Sequence, residues 1–362
     1  MKILVTGSEG YIGYQLVQVL HDRGHEVVGL DTGYYTDGML YPASKPEGTT
    51  QIWKDIRHIT REDLQGIDAV AHLAELSNDP LGQHNEANTF AINHEGTVRL
   101  AELAKKEGVE RFVYTSSCSV YGVQNGEPYK TESSAVHPLT AYAKCKVLVE
   151  QDLDAMADDS FSPTFLRNAT AYGPSPRQRF DIVLNNLTGH AWTAGEIRMR
   201  SDGTPWRPMV HVLDICQAIA CTLEAPRDAV HNEVFNVGNS EENYQVRDIV
   251  AVVADAVPGC AVSMGSSDGD DRSYRGSFDK IATQLPGFEA QYTLQDGAEQ
   301  MIDIYRQIDM TTDVFEYRAF TRLKQLKHLL HEGLIDPQFF WRHEIQHAGA
   351  VDDALSAAQK AA

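Results

Sequence analysis

The sequence predicts an α/β protein: a doubly wound parallel sheet followed by a smaller C-terminal α/β substrate lobe. Three observations predict it. Short apolar runs alternate with helical patterns of crossover length through the first half of the chain. Spaced glycines follow the first run. From about residue 168 the alternation gives way, and Pro174, Pro176, Pro205 and Pro208 break the chain.

The elements follow in order. KILVTG is a short apolar strand ending in glycine, and Ile12, Leu16, Val19 and Leu20 give the next segment helical spacing. EVVGLD is the second strand, and a third precedes Asp55 and Ile56. DAVAHLA is another, and a long helical pattern runs from Asn93 to Lys106. RFVYTSS is a further strand that delivers its last residues to a loop. In the second half FNVGN (235–239) reads as a strand returning to the sheet. Helices are expected over Val246–Val257, Gln295–Ile308 and Phe315–Leu330, and the Ala-rich stretch from His347 to Ala362 reads as a frayed tail. The organisation expected is a nucleotide domain over 1–167 (rejoined by part of 210–240), a lobe over 168–310, and a helical extension over 311–362.

Composition narrows the function. The 362 residues carry 31 basic and 51 acidic side chains, a formal charge of −20, so nucleic acid is not an expected partner. No stretch is apolar enough to span a bilayer. The first strand pattern begins at once, so no signal peptide is expected ahead of it. Cys118, Cys145, Cys216, Cys221 and Cys260 have neither disulfide-framework nor zinc spacing. A reducing cytoplasm is the expected compartment, and no metal site is expected.

Gly7, Gly10 and Gly13 lie between a strand and a helix. The first suits a tight turn, the second lets backbone approach a pyrophosphate, and the third lets helix pack closely on strand. The helix N-terminus offers unpaired N–H groups to phosphate. Asp31 ends the second strand, where a carboxylate can accept from both adenosine ribose hydroxyls. Residues 32–38 hold no Arg or Lys for a 2′-phosphate, so the expected cofactor is NAD rather than NADP.

Tyr142 and Lys146, four residues apart on an expected helix, share a face. An ammonium near a phenol favours the phenolate, and a Tyr so tuned can exchange a proton with a sugar hydroxyl or ketone. Ser117, at the end of RFVYTSS, can hydrogen-bond the same oxygen.

Taken together, Gly7-x-x-Gly10-x-x-Gly13, HLA (72–74), Asn93-x-x-Gly96-Thr97, TSSCSVYG (115–122) and YAKCK (142–146) resemble the extended short-chain dehydrogenase/reductase superfamily. Within it the chain is similar to the NAD-dependent nucleotide-sugar epimerase/dehydratase branch over roughly residues 1–300. The resemblance implies a Rossmann-type domain holding NAD, a nucleotide-diphosphate-sugar substrate and a homodimer. Toward the cofactor it implies Gly7, Gly10, Tyr11, Ile12, Gly13, Asp31, Asp55, Ile56, Leu73, Ala74, Asn93, Lys146 and Asn168. Ser117 and Tyr142 would meet the reacting hydroxyl, with Lys146 supporting. Toward the substrate it implies Ser77 and Asn78 in ELSNDP, Cys118 and Ser119 after the Ser of the trio, Thr170 in the sugar loop, Asn186 and Leu187, and Arg207 and Arg272 for the diphosphate.

The chain departs from the branch in two places. Dehydratases carry an Asp-Glu pair after the Ser/Thr of the trio, whereas this chain has Cys118 and Ser119, which argues against elimination. Cys118 as acid/base of a 3,5-epimerase is a further reading. Thr170 stands where many relatives have Asn, with Asn168 two residues earlier. The leading expectation is an epimerase acting at C4 through a 4-keto sugar. A nucleotide-sugar 4-dehydrogenase or 4-ketoreductase is the alternative, and a non-catalytic NAD-binding module is the reading from another class.

Overall fold

The computed structural model describes residues 1–77, 85–123, 127–266 and 273–343. Seven parallel strands form the main sheet: β1 (Lys2–Thr6), β2 (Glu26–Asp31), β3 (Thr50–Trp53), β4 (Ala69–His72), β5 (Arg111–Ser117), β6 (Ser162–Asn168) and, after three short strands, β10 (Glu233–Val237). Those three are β7 (Thr170–Tyr172), β8 (Glu196–Arg198) and β9 (Trp206–His211). The spatial order is β3-β2-β1-β4-β5-β6-β10. Strand order therefore reverses between β1 and β4, which opens a crevice beyond their carboxyl ends. FNVGN does return to the sheet, with Val237 opposite Asn168.

Apart from the edge strand β3, the strands are largely buried on both faces, because helices cover each side. Ile3, Val5, Leu16, Val17, Ile215 and Ile219 pack on one face. Leu4, Val28, Leu100, Phe112 and Phe165 pack on the other. Beyond the sheet lie two smaller ones. β11 (Asn243–Gln245), β9 and β7 form the first, and β12 (Ala261–Ser263) pairs with β8 in the second. Helices Val183–Ala194, Val246–Ala256 and Leu294–Gln307 close a separate core around Tyr172, Leu184, Ile249 and Leu294.

Two helices differ from expectation. The pattern expected from Asn93 begins earlier, at Glu86, and passes through a π-helical stretch, Phe90–Gly96, before continuing as Thr97–Lys106. The helix expected over Phe315–Leu330 is broken: Thr312–Glu316 ends, Tyr317 is extended, and helix resumes at Arg322–His331. The break lets Phe315 and Phe320 both pack edge-on against Phe180, at 5.0 and 5.5 Å between ring centroids. The tail His347–Ala362 lies outside the described residues.

A hydrogen-bond chain ties the switch point together. Thr6 Oγ1 lies 2.6 Å from His72 Nδ1, and His72 Nε2 lies 2.7 Å from Thr97 Oγ1. Thr97 donates its own proton to Asn93 O. The His72 Nε2–H must therefore be the donor to Thr97, and Thr6 the donor to Nδ1. Only a neutral imidazole fits, and burial, reinforced by Lys146, pushes His72 down to about 3. Burial likewise brings His211 down to about 4, although Gln300 opposes it. Both histidines therefore stabilise the fold fully above their ordinary pKa of 6.5, and lose that contribution as pH falls. Asp214, raised by burial to about 6, works the other way. Asp31, Glu75 and Glu242 are likewise raised by burial, so the histidines are read by their own titration: in NMR the rings of His72 and His211 should stay neutral from pH 7 to 5, and either ring charging above about pH 6 would contradict the assignment.

Candidate active site

The carboxyl ends of the strands deliver the expected residues to one cleft of about 460 Å3. Gly7 follows β1 at φ +73°, a conformation that suits glycine, and its N–H donates to Leu30 O at 2.7 Å. Gly10 N–H returns to Gly7 O at 2.9 Å, and helix Tyr11–Asp22 starts there with no side-chain cap. A Cβ on Gly13 would lie 2.0 Å from Gly7 O, so only hydrogen lets the helix settle on the turn. The backbone cradle and uncapped N-terminus fit a dinucleotide's diphosphate. Gly13→Ala should lower stability by about 3 kcal/mol, since the clash is with backbone. Gly10→Ala, meeting only Gly7 O at 3.0 Å, should be milder. Equal denaturation midpoints for the two variants would refute this reading of the turn.

Asp31 and Asp55 stand on the cleft wall toward β2 and β3. Asp31 is buried and accepts from Glu9 N at 2.9 Å and Gly33 N at 2.8 Å, one amide on each oxygen. Each oxygen keeps a further lone pair for a ribose hydroxyl. Asp55 is held by Arg57 through Nε and Nη2 at 2.9 and 2.6 Å. Ile56, Leu73, Ala74, Tyr11 and Ile12 line the same cleft. Asn93 does not line it. Fully buried in the π-helical stretch, it accepts from Leu76 N at 2.9 Å and donates to Leu76 O at 3.1 Å, fixing the loop after β4.

The trio meets at the opposite wall. Ser117, Tyr142 and Lys146 all line the cleft. Thr140 caps helix Ala141–Met156 by accepting from Ala143 N at 3.2 Å, which fixes where Tyr142 and Lys146 project. Lys146 Nζ lies 5.3 Å from the Tyr142 ring centroid. It is buried, donates to Thr115 O, and forms an ion pair with Glu75 whose two side chains are each 3 % exposed. Tyr114 O–H donates to the other Glu75 oxygen at 2.7 Å. Burial alone would lower Lys146, but the Glu75 carboxylate and Tyr142 outweigh it and hold the ammonium above its ordinary value.

The expected substrate contacts divide. Ser77, Ser119, Thr170 and Arg207 line the cleft, as does Asn168. Cys118 turns into the sheet instead; its thiol is 3.1 Å from Arg167 O, and burial pushes its pKa far up. Asn186 donates to Phe180 O, and Leu187 is buried in the core of the smaller sheets, so neither lines the cleft. The helix carrying them presents Val183 to the cleft and turns the next residues away. Asn78 and Arg272 lie outside the described residues. Beneath the cleft, Glu150 and Arg167 form a buried two-pronged pair, at 3.0 Å from Nε and 2.6 Å from Nη2.

Residues 3–238, from β1 to the end of β10, match the NAD dependent epimerase/dehydratase family. The chain belongs to that family. A UDP-glucose 4-epimerase of Mycolicibacterium smegmatis is 29% identical over 325 residues, covering 84% of this chain and 99% of that protein. The solved structure of MoeE5 in complex with UDP-glucuronic acid and NAD is 28% identical, with a TM-score of 0.74 over 85% of this chain and 99% of that one. A UDP-glucuronic acid 4-epimerase from Bacillus cereus, solved with UDP-glucuronic acid and NAD, is 25% identical, with a TM-score of 0.72 over 85% and 100% of the two chains.

Within this epimerase/dehydratase cleft the fold adds residues that sequence reading missed. Glu75 sits in the ELSNDP segment that was singled out for Ser77 and Asn78, but nothing local marks it as the partner of Lys146. Arg179 and Arg322 also line the cleft. Arg179 follows the proline break in a basic stretch, PRQRF, a signal that was available. Arg322 belongs to the C-terminal extension and had none. Among the described residues, three of the five buried side-chain polar atoms without a partner belong to cleft residues: Ser119 Oγ, Asn168 Oδ1 and Arg179 Nη2. Such atoms are expected where a polar ligand completes the bonding.

Proposed function

We propose that this protein is an NAD-dependent epimerase of a nucleotide-diphosphate sugar, acting at C4 through a transient 4-keto sugar. One observation carries the reading: Ser117, Tyr142 and Lys146 share a single cleft with the Gly7–Gly13 turn and Asp31. Gly7, Gly10, Asp31, Asp55 and Ala74 would hold NAD, which when bound supplies the hydride acceptor and donor for the sugar carbon.

The side chains handle the proton. Tyr142 takes it from the 4-hydroxyl as that carbon is oxidised and returns it when the carbonyl is reduced. Lys146 stabilises the phenolate form of Tyr142 electrostatically. Glu75 and Thr115 O engage two of its three N–H donors, leaving the third for a ligand hydroxyl. Ser117 hydrogen-bonds the same sugar oxygen. Elimination lacks support, because a dehydratase needs an acid and a base after the Ser of the trio. Here that place holds a thiol facing the sheet and a serine hydroxyl.

The test is turnover on UDP-, dTDP-, GDP- and CDP-hexoses and their uronic acids, with and without added NAD. Sugars are followed by NMR and reduced nicotinamide by absorbance. An inverted C4 without net NADH is the expected result. Stoichiometric NADH, or NADH consumed with a 4-keto sugar, would replace the epimerase reading with a dehydrogenase or ketoreductase.

A further inference from the structure

The extension beyond residue 311 packs onto the wall of the cleft that carries Asp31 and Asp55. Leu326, Leu329, Ile335 and Phe339 are buried in the same core as Val28, Leu30 and Ile56. Tyr34 O–H donates to Phe339 O, Trp341 Nε1 donates to Thr32 O at 2.7 Å, and the Arg57 guanidinium lies 3.7 Å over the Phe340 ring. The segment is thus bound to the loops after β2 and β3, and it brings one cation into the cleft. Arg322 is 3 % exposed, its N–H donates to Asp181 Oδ2 at 3.1 Å, and its guanidinium lies 4.1 Å over Tyr35.

Arg179 stands on the other side of the same carboxylate. Its Nε donates to Asp181 Oδ1 at 2.8 Å and its Nη1 to Ser77 Oγ at 3.3 Å. Among the described residues Nη2 has no partner, although Arg179 is only 8 % exposed. Burial, with repulsion from Arg179, pulls Arg322 down to about 10, against the Asp181 carboxylate. Two buried arginines thus converge on Asp181, Arg179 through its guanidinium and Arg322 through its backbone N–H, in a wall largely closed to water. An anion in the cleft would add counter-charge to the pair and give Arg179 Nη2 a partner.

We propose that Arg179 and Arg322 form a seat for the diphosphate of a nucleotide bound in the cleft, and that the C-terminal segment serves to deliver Arg322 to it. The inference rests on the functional reading above, which places two such groups within the cleft: the diphosphate of the dinucleotide and that of the sugar nucleotide. Planar, forked guanidinium groups match phosphate oxygens in geometry and charge. The seat lies between the Asp31 wall and Ser77, so either diphosphate can be its ligand, and binding measurements separate them.

The full-length protein and its Arg322→Met, Arg322→Lys and Arg179→Gln variants would be titrated calorimetrically with NAD, ADP, adenosine, UDP and uridine. Arg322→Met and Arg179→Gln should weaken ADP or UDP about 10- to 100-fold, with the matching nucleoside unaffected and Arg322→Lys intermediate. Loss confined to ADP and NAD assigns the seat to the cofactor; loss confined to UDP assigns it to the substrate. Unchanged nucleoside affinity also certifies that the variants are folded. Wild-type affinity for both diphosphates, or equal weakening of nucleoside and diphosphate, would overturn the seat. A wild-type chain that binds none of the five ligands would overturn the functional reading itself, and the seat with it.

Discussion

Replacing Tyr142 with phenylalanine is expected to lower turnover of the preferred nucleotide sugar by about 10²- to 10⁴-fold, with NAD content and thermal midpoint unchanged. The substitution removes one oxygen from a half-buried side chain and keeps the ring beside Lys146. Little packing is lost, so stability is a fair control. The lost oxygen is the group assigned to carry the proton on and off the 4-hydroxyl. If Tyr142→Phe turned over as fast as wild type, the trio would not be the chemistry of this cleft. A variant that lost NAD as well would place Tyr142 in binding rather than proton transfer.

The second large effect concerns stability. Glu75→Gln should reduce the free energy of unfolding by about 3–5 kcal/mol at neutral pH, because it leaves the Lys146 ammonium buried without its counter-charge. Burial is the largest influence on Lys146 and acts against the charged form; the Glu75 carboxylate leads what overcomes it. Glu75→Gln combined with Lys146→Met removes both charges and should recover most of the loss. The double-mutant cycle measures the coupling directly. Additive single and double effects would show that the pair is not coupled.

The two predictions differ in how far the sequence anticipated them. Tyr142 and Lys146 lie one helical turn apart, and Ser117 ends a strand, so local spacing was enough to expect them on one wall. The glycine turn was legible for the same reason: its three residues and the strand before it are contiguous. Asn93, which the resemblance placed toward the cofactor, instead grips the backbone of Leu76 behind the cleft, a partner its own segment does not reveal. Cys118 was ambiguous, because a residue just past a strand end can face the ligand or the sheet. Packing beside Arg167 turned it inward.

The C-terminal extension was legible as helical but not in its path. Its helical pattern reads as one helix, yet Phe315 and Phe320 both find room around Phe180 only if the helix breaks between them. That break brings the Arg322 backbone N–H to Asp181 and its guanidinium over Tyr35. No local pattern carries this information, because the aromatic partner is far away in sequence.

What the sequence determined by itself was periodic or contiguous: the strand-helix alternation, the Gly7–Gly13 turn, the acid ending β2, and the helical step from Tyr142 to Lys146. Backbone geometry sets each of these within a few residues. Only the tertiary structure decided which charges face one another in the cleft. Glu75 meets Lys146, and the Arg179 guanidinium and the Arg322 backbone meet at Asp181, because separate strands and a distant C-terminal segment converge there. The energy of a buried charge depends on partners brought near by the fold and on the water it excludes, and neither is written in neighbouring residues.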